Sequence, residues 1–213
     1  MAGPALRIAA SHALATSYVP GWLDAFQSQG HAFRTRAIPA AINDGAMLMS
    51  DGNCDLMLVH ERTDEPSRID PARYPSICID SDELIPVSRP NEQGEPIHAL
   101  SNIDAEVISL AAYSSTTLFG RSIAELLSRS RQSSRFRAIY ESEWDGVIKR
   151  VALNGRAMAW LSRKSVEDEL ASGTLVHAGG ASWVVPFAVK LYRDVLAKNE
   201  FVDRIWLSAL PQS

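Results

Sequence analysis

The sequence predicts an α/β protein built as two successive units, and three observations lead there. Short apolar runs alternate with segments of helical periodicity, and the joints between them are brief. Midway, a stretch rich in proline and glycine breaks the pattern, which then restarts. Parallel strand neighbours need a crossover of about a dozen residues or more, so strand–helix–strand order with short joints implies parallel sheets with helices on both faces.

The first unit opens with a strand over 6–10, a Ser11-His12 turn and a helical pattern through Leu14, Tyr18, Trp22, Leu23 and Phe26. A second strand is expected over 33–39. The helix after it runs over 43–51, opened by Asn43-Asp44 and closed by Gly52, and a third strand occupies 55–59. Residues 62–73 are polar and read as a loop or short helix. Two strands follow, over 74–80 and 83–88, parted by an acidic turn. Pro90, Gly94 and Pro96 then mark a crossing over 89–99.

The second unit begins with a strand over 106–110, a turn at 113–116 and a helix over 118–130. A strand over 136–141, a helix over 145–154 and a strand over 156–161 continue the alternation. A helix over 162–172 is closed by Gly173, and a short strand covers 174–177. The apolar run 183–192 returns to the first unit, which an amphipathic helix over 200–210 completes. The lobes are therefore expected at 1–88 with 178–213, and at 89–177.

Composition narrows the function. With 21 basic against 25 acidic residues and a pI near 5.7, the surface offers no general attraction for DNA. No segment approaches the roughly 20 consecutive apolar residues of a membrane span, and 1–15 lacks the pattern of an export signal, so a cytoplasmic location is expected. Cys54 and Cys78 suit a reduced compartment, with both buried as small hydrophobes rather than joined.

Several segments, in order, resemble the effector-binding domain of LysR-type transcription regulators. They are Leu6-Arg7-Ile8-Ala9-Ala10, Tyr18-Val19-Pro20-Gly21-Trp22-Leu23-Asp24-Ala25-Phe26, Asp51-Gly52-Asn53-Cys54-Asp55-Leu56-Met57-Leu58 and Glu83-Leu84-Ile85-Pro86-Val87. The last is Val151-Ala152-Leu153-Asn154-Gly155-Arg156-Ala157-Met158-Ala159-Trp160-Leu161, where Arg156, and Ser162 just after it, replace the usual Gly and Pro. The resemblance implies two Rossmann-like lobes with an interlobe cleft, a periplasmic-binding-protein-like (type II) fold. It further implies a homodimer, a tetramer in the full-length protein, and promoter DNA bound only through an N-terminal winged helix-turn-helix expected to lie outside this chain, with 1–4 as a leader. The opening letters also resemble a hypochlorite-responsive subgroup whose activation is linked to methionine oxidation.

In such folds the turn after a strand faces the ligand. Ser11 and His12 occupy one such turn, Tyr113, Ser114, Ser115 and Thr116 another, and His60, Glu61 and Glu141 follow or end strands; these are the expected ligand-binding residues. Capping of helices explains Ser11 and Ser115 as well as ligand contact does, and His12 reads either as a charge switch or as a plain loop histidine. His60 and Glu61, being adjacent in an extended chain, make a poor metal pair. Arg121 reads as a solvated helix residue as readily as a ligand partner. Met47 and Met49 are candidate redox-sensing residues, beside Met57 and Met158, although core filling is the plainer reading. Met47 and Met49 cannot both face the core, so one is expected to be exposed. Trp22, Phe26, Val147 and Val151, with Lys149 and Arg150, are expected at a dimer interface through the resemblance.

No GxSxG, P-loop or HExxH pattern occurs, and neither a catalytic residue, a metal nor a cofactor is expected. The leading expectation is control of transcription by a small-molecule effector or oxidant. A periplasmic-type solute-binding protein is the alternative, and a small cytoplasmic enzyme using Glu61, Glu141 or Glu143 is a third.

Overall fold

The computed structural model describes residues 5–28, 33–65, 69–101, 107–130 and 132–210. In chain order the elements are β1 (Ala5–Ala10), α1 (His12–Ser17), α2 (Val19–Gln27), β2 (Arg34–Pro39), α3 (Ile42–Ser50), β3 (Leu56–Glu61) and β4 (Ser76–Ser88). Then come β5 (Ile108–Tyr113), α4 (Leu118–Ser130), β6 (Phe136–Ser142), α5 (Asp145–Leu153), β7 (Met158–Ser162), α6 (Glu167–Ser172), β8 (Val176–His177), β9 (Val185–Tyr192) and α7 (Glu200–Ser208). The expected leader at 1–4 and the first residue of the expected 106–110 strand lie outside the described residues.

Two units emerge, Met1–Asp82 with Phe187–Ser213, and Glu83–Pro186. Their boundaries fall inside β4 and β9, not at 88 and 178 beside the Pro/Gly-rich loop. Strands carry the chain from one unit to the other, a continuity that loop-forming residues do not mark.

Unit 1 is organised by the two-residue period of its strands. Leu6, Ile8 and Ala10 of β1 and Leu56 and Leu58 of β3 enter one buried cluster, completed by Leu14, Leu23 and Phe26 from α1 and α2, Val189 and Leu191 from β9, and Ile205 and Trp206 from α7. Ala9, Met57 and Val59 point the other way, joining Met49, Cys54, Tyr74 and Tyr192 beneath α3. Helices thus cover both faces, as expected. The sheet, however, is mixed: β1 pairs in parallel with β2 and β3, while β9 runs antiparallel to β3. A strand returning from another unit is free of the crossover rule that makes neighbours parallel.

The single helical pattern through Phe26 is broken at Tyr18. Pro20 sits in the first turn of α2, where its missing N–H costs nothing, whereas it would interrupt a continuous helix. The acidic turn expected near 81 is absent, and β4 is one strand of 13 residues. With no Gly or Pro between 76 and 85 the chain stays extended, and Asp82 is held inside as a buried acceptor. Cys54 is buried as expected, but Cys78, on a half-exposed stretch of β4, is exposed.

In unit 2, β5 pairs in parallel with β6 and β7, and β4 runs antiparallel to β7 and β8. β7 is buried throughout. Trp160 lies against Phe136 at 5.7 Å and donates its indole N–H to the Trp183 carbonyl at 2.8 Å. Gly155 and Gly173 take the left-handed conformation after α5 and α6, as helix-ending glycines do.

Candidate functional site

Ser11 follows the carboxyl end of β1. Its N–H donates to the Leu58 carbonyl at 3.2 Å and its carbonyl accepts from Ala15 N–H at 2.8 Å, while its side chain makes no cap for α1. The hydroxyl instead lies 3.3 Å from Nδ1 of His60. His60, 4% exposed, places Nε2 2.8 Å from Oδ2 of the buried Asp82. Ser11, His60 and Asp82 therefore form one hydrogen-bonded row within unit 1. Asp82 was missed by sequence reasoning: it lies 22 residues from His60 on another strand, and an acidic residue beside Ser81 signals a turn.

His60 and Glu61 part to opposite faces, as adjacent strand residues must. Glu61 is buried on the face of Met57 and Val59, where it accepts a hydrogen bond from the Tyr192 hydroxyl and pairs with Lys190 at 3.3 Å. The β3–β9 register explains this: Met57 opposes Tyr192 and Val59 opposes Lys190, so all four side chains share one side. Glu61 is a buried anchor between strands, not the ligand-facing residue expected. His12 is half-buried at the start of α1.

In unit 2 the turn after β5 is internally bonded. Thr117, not Ser115, caps α4, its Oγ1 accepting from Gly120 N–H at 3.0 Å. Thr116 Oγ1 donates to Glu143 Oε1 at 2.7 Å and lies 3.0 Å from the Ser114 hydroxyl, and Arg121 donates to the Thr116 carbonyl at 2.7 Å. Ser115 and Thr116 are exposed at this turn. Tyr113 is not exposed beside them: it is buried, donates its hydroxyl to the buried Asp145 carboxylate, and stacks edge-on against Phe119. Glu141 and Glu143 are exposed.

Unit 2 also carries an open groove of about 460 Å³ whose walls include Glu83, Arg163, His177 and Gly179. Arg163 Nε lies 3.0 Å from Glu83 Oε2, giving the groove adjacent charges of both signs. The residues come from β4, the turn after β7, β8 and the segment that follows it, a convergence with no local sequence signature. Among the described residues no group of three or more His, Cys, Asp or Glu gathers as a metal site, and no helix is long and apolar enough to cross a membrane.

Of the methionines, Met47 is 66% exposed and Met49 only 3%, with Met57 and Met158 fully buried. Burial pushes the Cys54 thiol up to about 11, and the Tyr18 hydroxyl is raised by burial first and then by the Asp80 charge. Of the residues expected at a subunit interface, Phe26 is spent inside unit 1, and its ring lies 5.9 Å from that of Phe33. Trp22 packs its inner edge against the same cluster, and Val147 and Val151 are half-buried on α5. Lys149 pairs within unit 2, at 2.6 Å from Glu169.

Comparison with known proteins places this geometry. The HTH-type transcriptional regulator YjiE of Escherichia coli (strain K12) is 29% identical over 202 residues, 94% of this chain but 63% of that protein, so the chain spans less than two thirds of this relative. The HTH domain-truncated transcriptional regulator QseD of Escherichia coli O157:H7 is likewise 29% identical, with 78% of its length covered. The regulatory domain of HypT from Salmonella typhimurium superposes with a TM-score of 0.83 at 22% identity, covering 97% of this chain and 93% of that one. DarR of Vibrio fischeri, solved with DNA, gives 0.83 at 26% identity over 99% of this chain and 69% of its own. The fold is the α/β, periplasmic-binding-protein-like (type II) one of LysR-type regulatory domains. The description "LysR substrate binding domain" matches residues 2–199, and the chain belongs to that family.

Proposed function

We propose that this chain senses an effector for a LysR-type transcription regulator acting in the cytoplasm, without catalytic turnover of its own. Membership of the LysR family implies that promoter DNA is bound by a winged helix-turn-helix outside this chain, and the net charge of −4, which offers a polyanion no general attraction, accords with that. The protein assembles as a homodimer, and as a tetramer in full length. Trp22, Val147 and Val151 supply interface surface.

The observation that carries the reading is the unit 1 turn. Ser11 stands where open α/β sheets present ligand contacts, yet its hydroxyl is not consumed by capping and is tied to a buried His–Asp pair. Ser11 and His12 are the unit 1 contacts, with the buried His60 held behind Ser11, and Ser114, Ser115, Thr116 and Glu141 are those of unit 2. An effector that binds one conformation better than another shifts their populations, and the attached DNA-binding segment follows.

Solved relatives suggest the first effectors to try: HypT is described as hypochlorite-specific and has been solved bromide-bound, and the CcmR regulatory domain was solved with 2-PG. The test is promoter binding by the full-length protein, measured with and without a panel of small amides and alcohols together with bromide, 2-PG and limiting hypochlorite, in wild type and Ser11→Ala. The reading requires that one of them change DNA affinity and that S11A blunt a reversible response. Indifference to a broad effector and oxidant panel would refute it.

A further inference from the structure

The Ser11–His60–Asp82 row assigns a direction to each hydrogen bond, and that direction selects a ligand chemistry. A carboxylate only accepts, so Nε2 of His60 carries the proton that bridges the 2.8 Å gap to Asp82. For a neutral ring, the state that the spectra below test, Nδ1 has no proton and can only accept, and the 3.3 Å contact is then made by the Ser11 hydroxyl donating to it. A hydroxyl has one proton. With that proton directed at Nδ1, Ser11 turns oxygen lone pairs toward whatever approaches the turn.

We propose that His60, anchored by Asp82, is a positioning residue that fixes Ser11 as a hydrogen-bond acceptor, so that this spot selects an N–H or O–H group of the ligand over a carboxylate or other anion. This rests on the assignment of Ser11 as an effector contact. The surroundings hold the row in place. His60 lies edge-on to Phe187 at 5.9 Å, and both members of the His60–Asp82 pair are at most 2% exposed by side chain, where competing water is scarce. The Ser11 backbone is pinned by its bonds to Leu58 and Ala15, so the hydroxyl rather than the turn is the adjustable part.

Two measurements test it. Long-range proton–nitrogen spectra of the chain, with the His60 ring assigned by a His60→Gln variant, should show a protonated Nε2 and an unprotonated Nδ1 that is shielded by a donor. Ser11→Ala should move Nδ1 toward a free imine nitrogen, and Ser11→Thr, which keeps the hydroxyl, should restore it; a merely structural role for Ser11 would leave the signal unchanged. A protonated Nδ1, a doubly protonated ring, or an Nδ1 signal indifferent to S11A overturns the proposal.

The second measurement titrates acetamide and acetate, matched in size, against the same signal. Acetamide should shift it in wild type but not in S11A, and acetate should not. Equal or preferential response to acetate overturns the selectivity. Silence to both, with the stated tautomer intact, defeats the assignment of Ser11 as a ligand contact and leaves the hydrogen-bonded row standing, so the two failures are separable.

Discussion

The Asp55 carboxylate receives Arg7 three times: the Arg7 backbone N–H donates to it at 2.7 Å, and the guanidinium reaches it at 2.6 Å and 3.1 Å. Arg7 also reaches the Gly52 carbonyl. This fastens β1 to the entry of β3 and explains the Gly-x-x-Asp element of the sequence in physical terms, since the glycine ends α3 at a positive φ of 66° and the aspartate takes the neighbouring strand. The same pairing raises the Arg7 pKa further, chiefly through the hydrogen bond to Asp55. Asp55→Ala leaves the Arg7 backbone N–H without its carboxylate acceptor and the guanidinium with the Gly52 carbonyl alone of these partners, and should cost about 2 kcal/mol, read from urea unfolding. Asp55→Asn, which keeps one acceptor oxygen, should cost less. Equal and negligible losses would show that the clamp contributes nothing.

A second prediction concerns how α4 meets the unit 2 turn. A Cβ added at Gly120 would lie 2.1 Å from the Ser114 carbonyl oxygen and 2.7 Å from its carbon. Backbone atoms cannot swing aside as a flexible side chain does, so Gly120→Ala must push the helix off the Ser114–Thr117 turn. The expected loss is about 1–3 kcal/mol, with amide shifts concentrated at 113–118. Gly146, on α5, has nothing within 4 Å of the same hypothetical atom, and G146A should be neutral or stabilising by up to about 1 kcal/mol. Similar behaviour of the two variants would mean the close approach is not there.

What could be read from the sequence follows from where its information is local. Strand alternation at Leu6, Ile8, Leu56 and Leu58, and helix stops at Gly52 and Gly173, depend on neighbours in the chain, and those strands and helix ends stand within about two residues of expectation, although the helix expected over 162–172 begins only at Glu167, after the end of β7 at Ser162 and a short turn. The turns bearing Ser11 and Ser114 to Thr116 were likewise legible, because each joins a strand to a helix. The partners were not. Asp82 for His60 and Lys190 with Tyr192 for Glu61 are set by how the strands assemble, across 22 and about 130 residues, and Asp145 for Tyr113 by where the start of α5 meets β5, 32 residues on. Such placements are properties of the assembled fold, so Tyr113 and Glu61 looked available for ligand when both are engaged in the interior.

The cysteines separate by the same logic. Cys78 is exposed on β4, and Cys54 is buried with its thiol raised to about 11. Only the thiolate attacks a disulfide reagent. At pH 8 the native chain should therefore yield one fast thiol, Cys78, with Cys54 reacting only on unfolding. Linkage gives a companion result. Between the ordinary value of 9.0 and about 11 the unfolded thiol loses its proton while the folded one keeps it, so the unfolded state binds fewer protons and stability falls as pH rises. The raised Tyr18 hydroxyl has the same sign at still higher pH. The urea midpoint should fall above pH 9 and fall less in Cys54→Ala. A flat profile would contradict the burial of both groups.

Oxidation provides the test that bears on function. Met47 is 66% exposed on α3 while Met49, two residues on, is 3% exposed, and Met57 and Met158 are sealed. Limiting peroxide should therefore convert Met47 to the sulfoxide before Met49, Met57 and Met158, which stay reduced until the chain unfolds, as peptide mass spectrometry would show. Because Met47 contributes little to the core, its oxidation should leave the unfolding midpoint nearly unchanged. That makes it a clean probe of mechanism. If an oxidant is the trigger through this residue, Met47→Gln, which mimics a polar side chain, should alter promoter affinity of the full-length protein without oxidant, and Met47→Leu should abolish the oxidant response. If both variants respond as wild type, Met47 is a bystander, and a trigger through Met49, Met57 or Met158 would first have to open the core of its unit.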